Sequence, residues 1–441
     1  MTKKSGSNQD SPSKTTRKTT RAQTSATPRA AERRTLLGTL VGIIVLIAAF
    51  VASQLGGGGL TPTPTATFTA VPPTATVRPP TATPLPATAV PPTAIAGLAT
   101  PFDPSGLRMT QGFTAQKGFW QVYFTAPTGS RDRATYTGGI DVHLARAIAR
   151  TQRTLDIAAF EFNNVLLTAA VLDAHRRGVA VRMVADNVHG VNDDDTTMGQ
   201  FIQAGIPVVD DSRSALMHNK FMILDGAQVW TGSWNFTIND TYRNNNNALA
   251  LRSRRLVEMY QAEFNQMFEG RRFGTRKTPG MGGSFTQDGV RVQVYFSPRD
   301  PVLQNLIGTL NTAQKHIRFM NFSFTDYDVA KAIMDRAAAG VAVQGIWETT
   351  GSETQASELR TLFCAGLDVR QDGNPFVLHH KVFIVDDRTV ISGSFNISTN
   401  ATVSNDENLV ILDDPDLAAQ YLAEFERRWA EARVPARITC Q

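Results

Sequence analysis

Apolar positions along this chain change their pattern at a few sharp boundaries. Residues 1–35 show almost no apolar periodicity and are rich in Ser, Thr, Lys and Arg, which predicts a disordered tail. Leu36 to Leu55 is then a run of 20 uncharged residues, LLGTLVGIIVLIAAFVASQL, with none of the polar stripe that a buried core helix shows. At about 1.5 Å per residue, such a helix covers the roughly 30 Å hydrocarbon core of a bilayer. From residue 56 to residue 104, a glycine run and Thr/Pro/Ala repeats disfavour helix and sheet and predict an extended stalk.

Beyond residue 105 short apolar blocks alternate with helix-period stretches, and the series runs twice. Leu155 to Phe162 (LDIAAFEF) corresponds to Ile317 to Phe324 (IRFMNFSF), both reading as largely buried strands. Leu172 to Val181 (LDAHRRGVAV) corresponds to Met334 to Val343 (MDRAAAGVAV), a helix ended by glycine and leading into a strand. Tyr260 to Phe264 (YQAEF) and Tyr421 to Phe425 (YLAEF) fall in a closing helix of each copy. Between the QVYF segments at Gln121 and Gln293 and the next match, the shift drops from 172 to 162. The first copy therefore carries about ten extra residues, placed around Gly129–Ile140. This alternation predicts an α/β fold with two pseudo-symmetric lobes, residues 105–274 and 275–441. Each is expected to be a mostly parallel sheet flanked by helices, the two facing each other across a pseudo-twofold axis. The period is far too long for a solenoid.

Charge changes the picture of the tail more than that of the lobes. The chain has 44 Lys and Arg against 39 Asp and Glu, but nine of those bases lie in residues 1–35 with only Asp10 and Glu32. The remainder is net −2, so the high pI gives the globular part no nucleic-acid signature. Bases directly before the apolar run predict a single-pass cell-membrane protein with its N-terminus in the cytoplasm and the lobes outside. A cleaved signal peptide ending near Val51-Ala52-Ser53 is the alternative, but the leading region and apolar run exceed the usual lengths. Cys364 and Cys440 are too few for a disulfide scaffold or a cysteine-rich zinc site. One bridge tying the terminus to the second lobe and two unconnected thiols both fit.

One stretch carries the chemistry and is written twice. His218, Lys220, Asp225, Gly232, Ser233 and Asn235 return 161 residues later as His379, Lys381, Asp386, Gly393, Ser394 and Asn396. On a strand, side chains two apart share a face, so each His projects with its Lys. The small residues of Gly-Ser-x-Asn let backbone approach a bound group, and Asn supplies an uncharged amide donor. Two copies brought together give two imidazoles, two ammonium groups and two amides around one cavity. That set suits a phosphodiester: one imidazole attacks phosphorus, the other protonates the departing oxygen, and Lys and Asn hold the charge. The lysines do the electrostatic work, so this reading calls for no metal and no cofactor.

The duplicated signature resembles that of the phospholipase D superfamily, and the resemblance covers nearly all of residues 105–441. It implies that His218 is the nucleophile, forming a phosphohistidine, and that His379 is general acid and then base. Lys220, Lys381, Asn235 and Asn396 would hold the phosphate. Asp225 and Asp386 would be structural, each capping or pairing locally where its strand ends. Family members often carry an acidic residue shortly after Gly-Ser-x-Asn. The second copy has Glu407, eleven residues after Asn396, where the first copy has Asn246. Glu407 is thus expected to reach across the dyad to His218, and Asn246 to orient His379.

The resemblance implies a phosphodiesterase acting on a phospholipid, a reading the membrane anchor and the lobes' charge support. An extracytoplasmic endonuclease is the main alternative, followed by a cardiolipin-synthase-like transferase and a non-catalytic surface protein. The two lobes are expected to pair within one chain, as a monomer. Trp234 and Phe395 should pack below the site, and His380 should point to the opposite strand face. Asn192 to Asp195 reads as an acidic surface loop, since it lacks the spacing of an EF-hand calcium loop. Arg271, Arg272, Arg276 and Lys277 read as a solvated linker between the lobes.

Overall fold

The computed structural model describes residues 102–440, which form two lobes of one plan. The first runs β1 (Phe113–Lys117), β2 (Trp120–Phe124), α1 (Asp141–Arg150), β3 (Thr154–Ala159), α2 (Val165–Arg176), β4 (Ala180–Ala185), α3 (Met198–Gln203) and β5 (Val208–Asp210). It continues through β6 (Lys220–Leu224), β7 (Gln228–Gly232), α4 (Ile238–Tyr242), β8 (Asn247–Leu251) and α5 (Arg254–Phe268). The second runs β9 (Gly283–Gln287), β10 (Val290–Ser297), α6 (Val302–Leu310), β11 (His316–Asn321), α7 (Tyr327–Ala338), β12 (Ala342–Trp347), α8 (Leu359–Cys364) and β13 (Asp368–Gln371). Then come β14 (Lys381–Val385), β15 (Thr389–Gly393), α9 (Thr399–Val403), β16 (Glu407–Asp413) and α10 (Pro415–Glu431).

Each lobe has one eight-stranded sheet, ordered β1-β2-β8-β7-β6-β3-β4-β5 and β13-β12-β11-β14-β15-β16-β10-β9. The two α/β lobes are as expected, but the sheets are mixed rather than mostly parallel. Only β3–β4–β5 and β11–β12–β13 run parallel, while β6, β7 and β8 and their counterparts pair antiparallel. A parallel pair needs a long crossover, and helices supply one only up to β5 and β13. The motif strands follow one another through a two-residue turn, which leaves no room for a crossover.

That turn explains the motif aspartates. Asp225 and Gly226 have φ of 52° and 60°, and Ala227 N donates to Leu224 O at 2.9 Å, a hairpin turn whose twist matches the strands. Asp386 and Asp387 repeat it at 52° and 55°. The Asp225 carboxylate accepts from the backbone N–H of Gln152, Arg153 and Thr154, pinning the hairpin to the start of β3. Asp386 does the same for Gln314, Lys315 and His316 at β11. Partial burial pulls both carboxyls upward, yet the backbone donors outweigh it and hold them below the usual range.

The inner faces of the sheets close a shared core of Phe221, Ile223, Leu249, Val382, Ile384 and Val410, with Tyr260 and Phe264 of α5 and Tyr421 and Phe425 of α10. The YQAEF and YLAEF segments thus lie between the lobes. Separate outer cores sit under α1 and α2 in the first lobe and under α6 and α7 in the second. Cys364 and Cys440 are bonded, tying the chain end to α8. The extra residues of the first copy fall where the shift in the repeat places them, in the loop between β2 and α1.

The linker departs from its reading as solvated. Arg271, Arg272 and Arg276 are exposed, but Lys277 is 2% exposed. Its Nζ pairs with Glu263, lies 2.8 Å from Asp406 and donates to Ser297 O at 2.8 Å. A lysine beside three arginines looks solvated in sequence; the partners that bury it come from α5 and from the turn before β16. The tail, the apolar run Leu36 to Leu55 and the Thr/Pro-rich stretch through residue 101 lie outside the described residues. Among the described residues, no helix is long and apolar enough to cross a membrane.

Two stability outcomes follow from these contacts. Lys277→Met leaves Glu263 and Asp406 buried without their common cation and should cost about 3–5 kcal/mol in denaturant unfolding. Asp225→Ala removes three backbone hydrogen bonds from one carboxylate and should cost about 2–3 kcal/mol at neutral pH.

Candidate active site

Each motif histidine sits just before its strand, where the backbone crosses to the other lobe. His218 N donates to Asp406 O at 3.0 Å, and His379 N donates to Asn245 O at 2.9 Å. Asp406 N and Asn245 N return hydrogen bonds to Leu216 O and Val377 O. Each histidine is thereby tied to the residue preceding the opposite lobe's Glu407 or Asn246.

The side chains complete the exchange. His218 Nδ1 lies 2.7 Å from Glu407 Oε2, and His379 Nδ1 lies 3.0 Å from Asn246 Oδ1. Ser394 Oγ donates to Glu407 Oε2 at 2.7 Å and Ser233 Oγ to Asn246 Oδ1 at 2.8 Å, so each motif serine fixes the group that faces the other lobe's imidazole. The motif glycines meet strand packing rather than a ligand. Gly232 and Gly393 have φ of 144° and 142°, and a Cβ there would come within 2.4 Å of Asn247 O or 2.3 Å of Asn408 O.

Lys220 Nζ donates to His218 O at 2.6 Å and Lys381 Nζ to His379 O at 2.9 Å, which uses one N–H of each ammonium. Asn235 and Asn396 bury their side-chain oxygens without a partner. Among the described residues no hydrogen bond engages the Nδ2 group of either. His218 and His379 keep 7% and 10% of their side chains exposed. Trp234 and Phe395 are buried beneath. His380 faces away from the cavity, buried against Asn247 and Glu424. Asn192, Asp194 and Asp195 are exposed, and no group arranged to hold a metal ion includes them.

Electrostatics follow from putting cations in a dry site. Burial first, then the two ammonium groups, push both imidazoles well below 6.5. Burial brings Lys220 down to about 8, against the pull of Glu407, and takes Lys381 well below its ordinary value, with Lys220 adding to the effect. Burial raises Glu407 to about 8, against Lys220. His218 and Glu407 therefore share one proton between two groups that both resist charge. With Glu407 ionised, the proton stays on Nδ1 and the Nε2 lone pair of His218 is free.

Four residues at the site escape a reading by motif. Phe160 packs its ring 4.8 Å from that of His218 and 4.7 Å from Lys220 Nζ, and Phe322 does the same for His379 and Lys381 at 5.0 and 4.8 Å. These rings seat each His-Lys pair, and their repeat spacing was the available signal. Asp240 Oδ2 lies 3.5 Å from His379 Nδ1 and accepts from Asn235 N at 2.9 Å. Its counterpart in the second lobe is Ala401, so the first lobe carries its carboxylate six residues earlier than the second does. Glu161 stands at the end of β3, raised by burial to about 8 with Asp240 adding to the effect. Its counterpart is Ser323.

A family model described as cardiolipin synthase, PLD-like domain matches residues 144–268 and again 306–429, more than half of the chain. The chain belongs to the phospholipase D superfamily and carries two such domains in tandem. A mitochondrial cardiolipin hydrolase from Xenopus tropicalis is 38% identical over 122 residues, covering 28% of this chain and 58% of that protein. One from Chlamydomonas reinhardtii is 32% identical over 134 residues, covering 30% and 60%. The chain thus spans about three fifths of the length of these relatives. A phospholipase D from Rickettsia bellii is 30% identical over 140 residues, covering 32% of this chain and 70% of that protein. The solved phosphatidylserine synthase of Haemophilus influenzae shares the fold, with a TM-score of 0.50 over 66% of this chain and 84% of that one at 14% identity.

Proposed function

We propose that this chain is a phospholipase D-type phosphodiesterase that hydrolyses a phospholipid to phosphatidic acid and an alcohol. The observation that carries the mechanism is the unequal pair of contacts behind the imidazoles: carboxylate Glu407 on His218, amide Asn246 on His379. A carboxylate behind Nδ1 raises the basicity of Nε2, which suits His218 as the nucleophile. Its lone pair attacks phosphorus, the bond from phosphorus to the alcohol oxygen breaks, and His379 gives that oxygen a proton. Asp240, 3.5 Å from His379 Nδ1, stabilises the imidazolium that must form before this transfer. In the second step His379 takes a proton from water, the water oxygen bonds to phosphorus, and the bond to His218 breaks. Lys220, Lys381, Asn235 and Asn396 hold the phosphate oxygens in both steps. The names of the relatives, cardiolipin hydrolase and phospholipase D, support a lipid substrate.

The chain acts as a monomer, since both half-sites lie within it. It is held at the cell membrane by Leu36 to Leu55 with the lobes outside. Basic residues before that run and the Cys364–Cys440 bond, which an oxidising compartment favours, support this placement. Protease added to intact cells is expected to release the lobes; protection of the lobes would reverse the orientation.

The full chain should release phosphatidic acid from vesicles of choline or ethanolamine lipids, and His218→Asn should abolish that release. Cleavage of single- or double-stranded DNA without lipid hydrolysis would replace this reading with the nuclease one. Hydrolysis of neither would leave a binding protein. Glu407→Gln should slow phosphoenzyme formation about a hundredfold and Asn246→Ala far less, measured by rapid-quench labelling. Asp240→Asn should slow the step that needs protonated His379, most visibly with poor leaving groups. With Glu407 raised to about 8 and His379 and Lys381 pushed well below their ordinary values, kcat/KM should be bell-shaped, gaining from ionisation of Glu407 and losing from deprotonation of His379 and the lysines. Glu407→Gln should flatten the acid limb alone.

A further inference from the structure

We infer that a second anion-binding subsite lies beside His379, built from Arg131, Arg133 and Arg243 around Phe376, and that it takes a phosphate carried on the leaving alcohol. The inference rests on the phosphodiesterase reading for what that phosphate is attached to. The guanidinium carbons of Arg131 and Arg243 lie over the Phe376 ring at 5.4 and 4.0 Å from its centre. Burial lowers the pKa of Arg243 against the pull of Tyr136, with Arg131 and Arg133 adding to the lowering, so Arg243 lies close enough to feel both. Among the described residues none of them forms an ion pair with a carboxylate. Arg243 donates to Asn239 Oδ1, but its Nε is buried with no partner. The nearest acids in sequence are engaged elsewhere: Asp132 accepts from Ala134 N, Asp240 from Asn235 N and Asn244 Nδ2, and Asp372 from Asn374 N. Clustered, unpaired guanidinium groups on an aromatic platform repel one another until an anion joins them.

Arg131 and Arg133 come from the loop that only the first lobe has, and that loop is held in place. Tyr136 stacks on Tyr242 with ring centres 5.4 Å apart, and its hydroxyl donates to Ser130 O at 2.9 Å. Arg243 is three residues from Asn246, and Phe376 three from His379, so the cluster lies about 10 Å along the chain from the imidazole that protonates the leaving oxygen. Asn374 Nδ2 locks the two segments together, donating to Arg243 O at 3.0 Å and to Asn245 Oδ1 at 2.7 Å. A substrate with two phosphates would set its second phosphate at this arginine cluster, next to His379.

The test compares the full chain with Arg131→Ala/Arg133→Ala and with an equal-charge control, Arg254→Ala/Arg255→Ala, two exposed arginines on α5. Calorimetry with glycerol bisphosphate and glycerol phosphate gives the preference for the second phosphate. That preference should fall about tenfold in Arg131→Ala/Arg133→Ala, as loss of charge-assisted hydrogen bonds requires, and hold in the control. An unchanged preference, or an equal fall in the control, overturns the subsite. Rates on cardiolipin against phosphatidylglycerol in mixed micelles, and on a trinucleotide against a dinucleotide, then locate the source of the phosphate. The pair whose rate ratio collapses in Arg131→Ala/Arg133→Ala identifies it. If the wild type cleaves none of the four, the phosphodiesterase reading falls while the calorimetric ratio still decides the subsite.

Discussion

The active-site arrangement depends on the exchange of backbone and side-chain hydrogen bonds between the lobes. His218 is held through its N–H by Asp406 and faces Glu407 through its ring, and both come from the second lobe. His379 is held in the same two ways by Asn245 and Asn246 of the first. Docking the lobes and orienting the imidazoles are thus a single event. A lobe alone would present a histidine with neither its backbone partner nor its tautomer-fixing neighbour. The apolar layer between the sheets supplies the driving force, and the exchange supplies the register, because a slip of one residue would carry every motif side chain to the other face.

The exchange is symmetric in geometry and unequal in charge. At matched positions the second half offers Asp406 where the first has Asn245, and Glu407 where the first has Asn246. The loop partners follow: Arg213 pairs with Asp406, while Asn374 donates to Asn245. Lys277, drawn in from the segment between the lobes, adds a second cation on Asp406. The charged set stands behind His218 and the neutral set behind His379, except that Asp240 brings one carboxylate near the latter. A duplicated site with equal halves would give two imidazoles of equal basicity. The proposed nucleophile and acid must differ, and the difference available to them lies in a few polar substitutions behind an unchanged backbone.

Much of this was legible in the sequence because repetition filters chance. Two copies at a fixed shift located the lobes, the motif residues and the extra loop, and the mismatch of Glu407 with Asn246 pointed to the asymmetry. Strand direction was less legible, since an apolar block such as Phe221–Leu224 reads the same in either sense until the turn at Asp225-Gly226 is recognised as a hairpin. Lys277 and Asp240 were invisible for another reason. Each is an ordinary charged residue whose role comes from partners distant in sequence, Asp406 for one and His379 for the other. The cysteine pairing likewise depended on where the chain end returns, which no local pattern encodes.

The same burial that organises the site also loads it. Two lysines and two imidazoles lie buried within reach of one another's charge, each lysine spends a hydrogen bond on its own histidine's carbonyl, and desolvation lowers all four pKa values. A bound phosphodiester brings the missing negative charge, so the lysines regain proton affinity when substrate enters. On the proposed mechanism, the charge that grows on the phosphate oxygens during attack meets donors already held in place. A doubly charged anion gains most from this, and the added charge accumulates at bond breaking. Burying the motif lysines therefore favours the transition state over the bound substrate, and a lysine in open solvent could not do so.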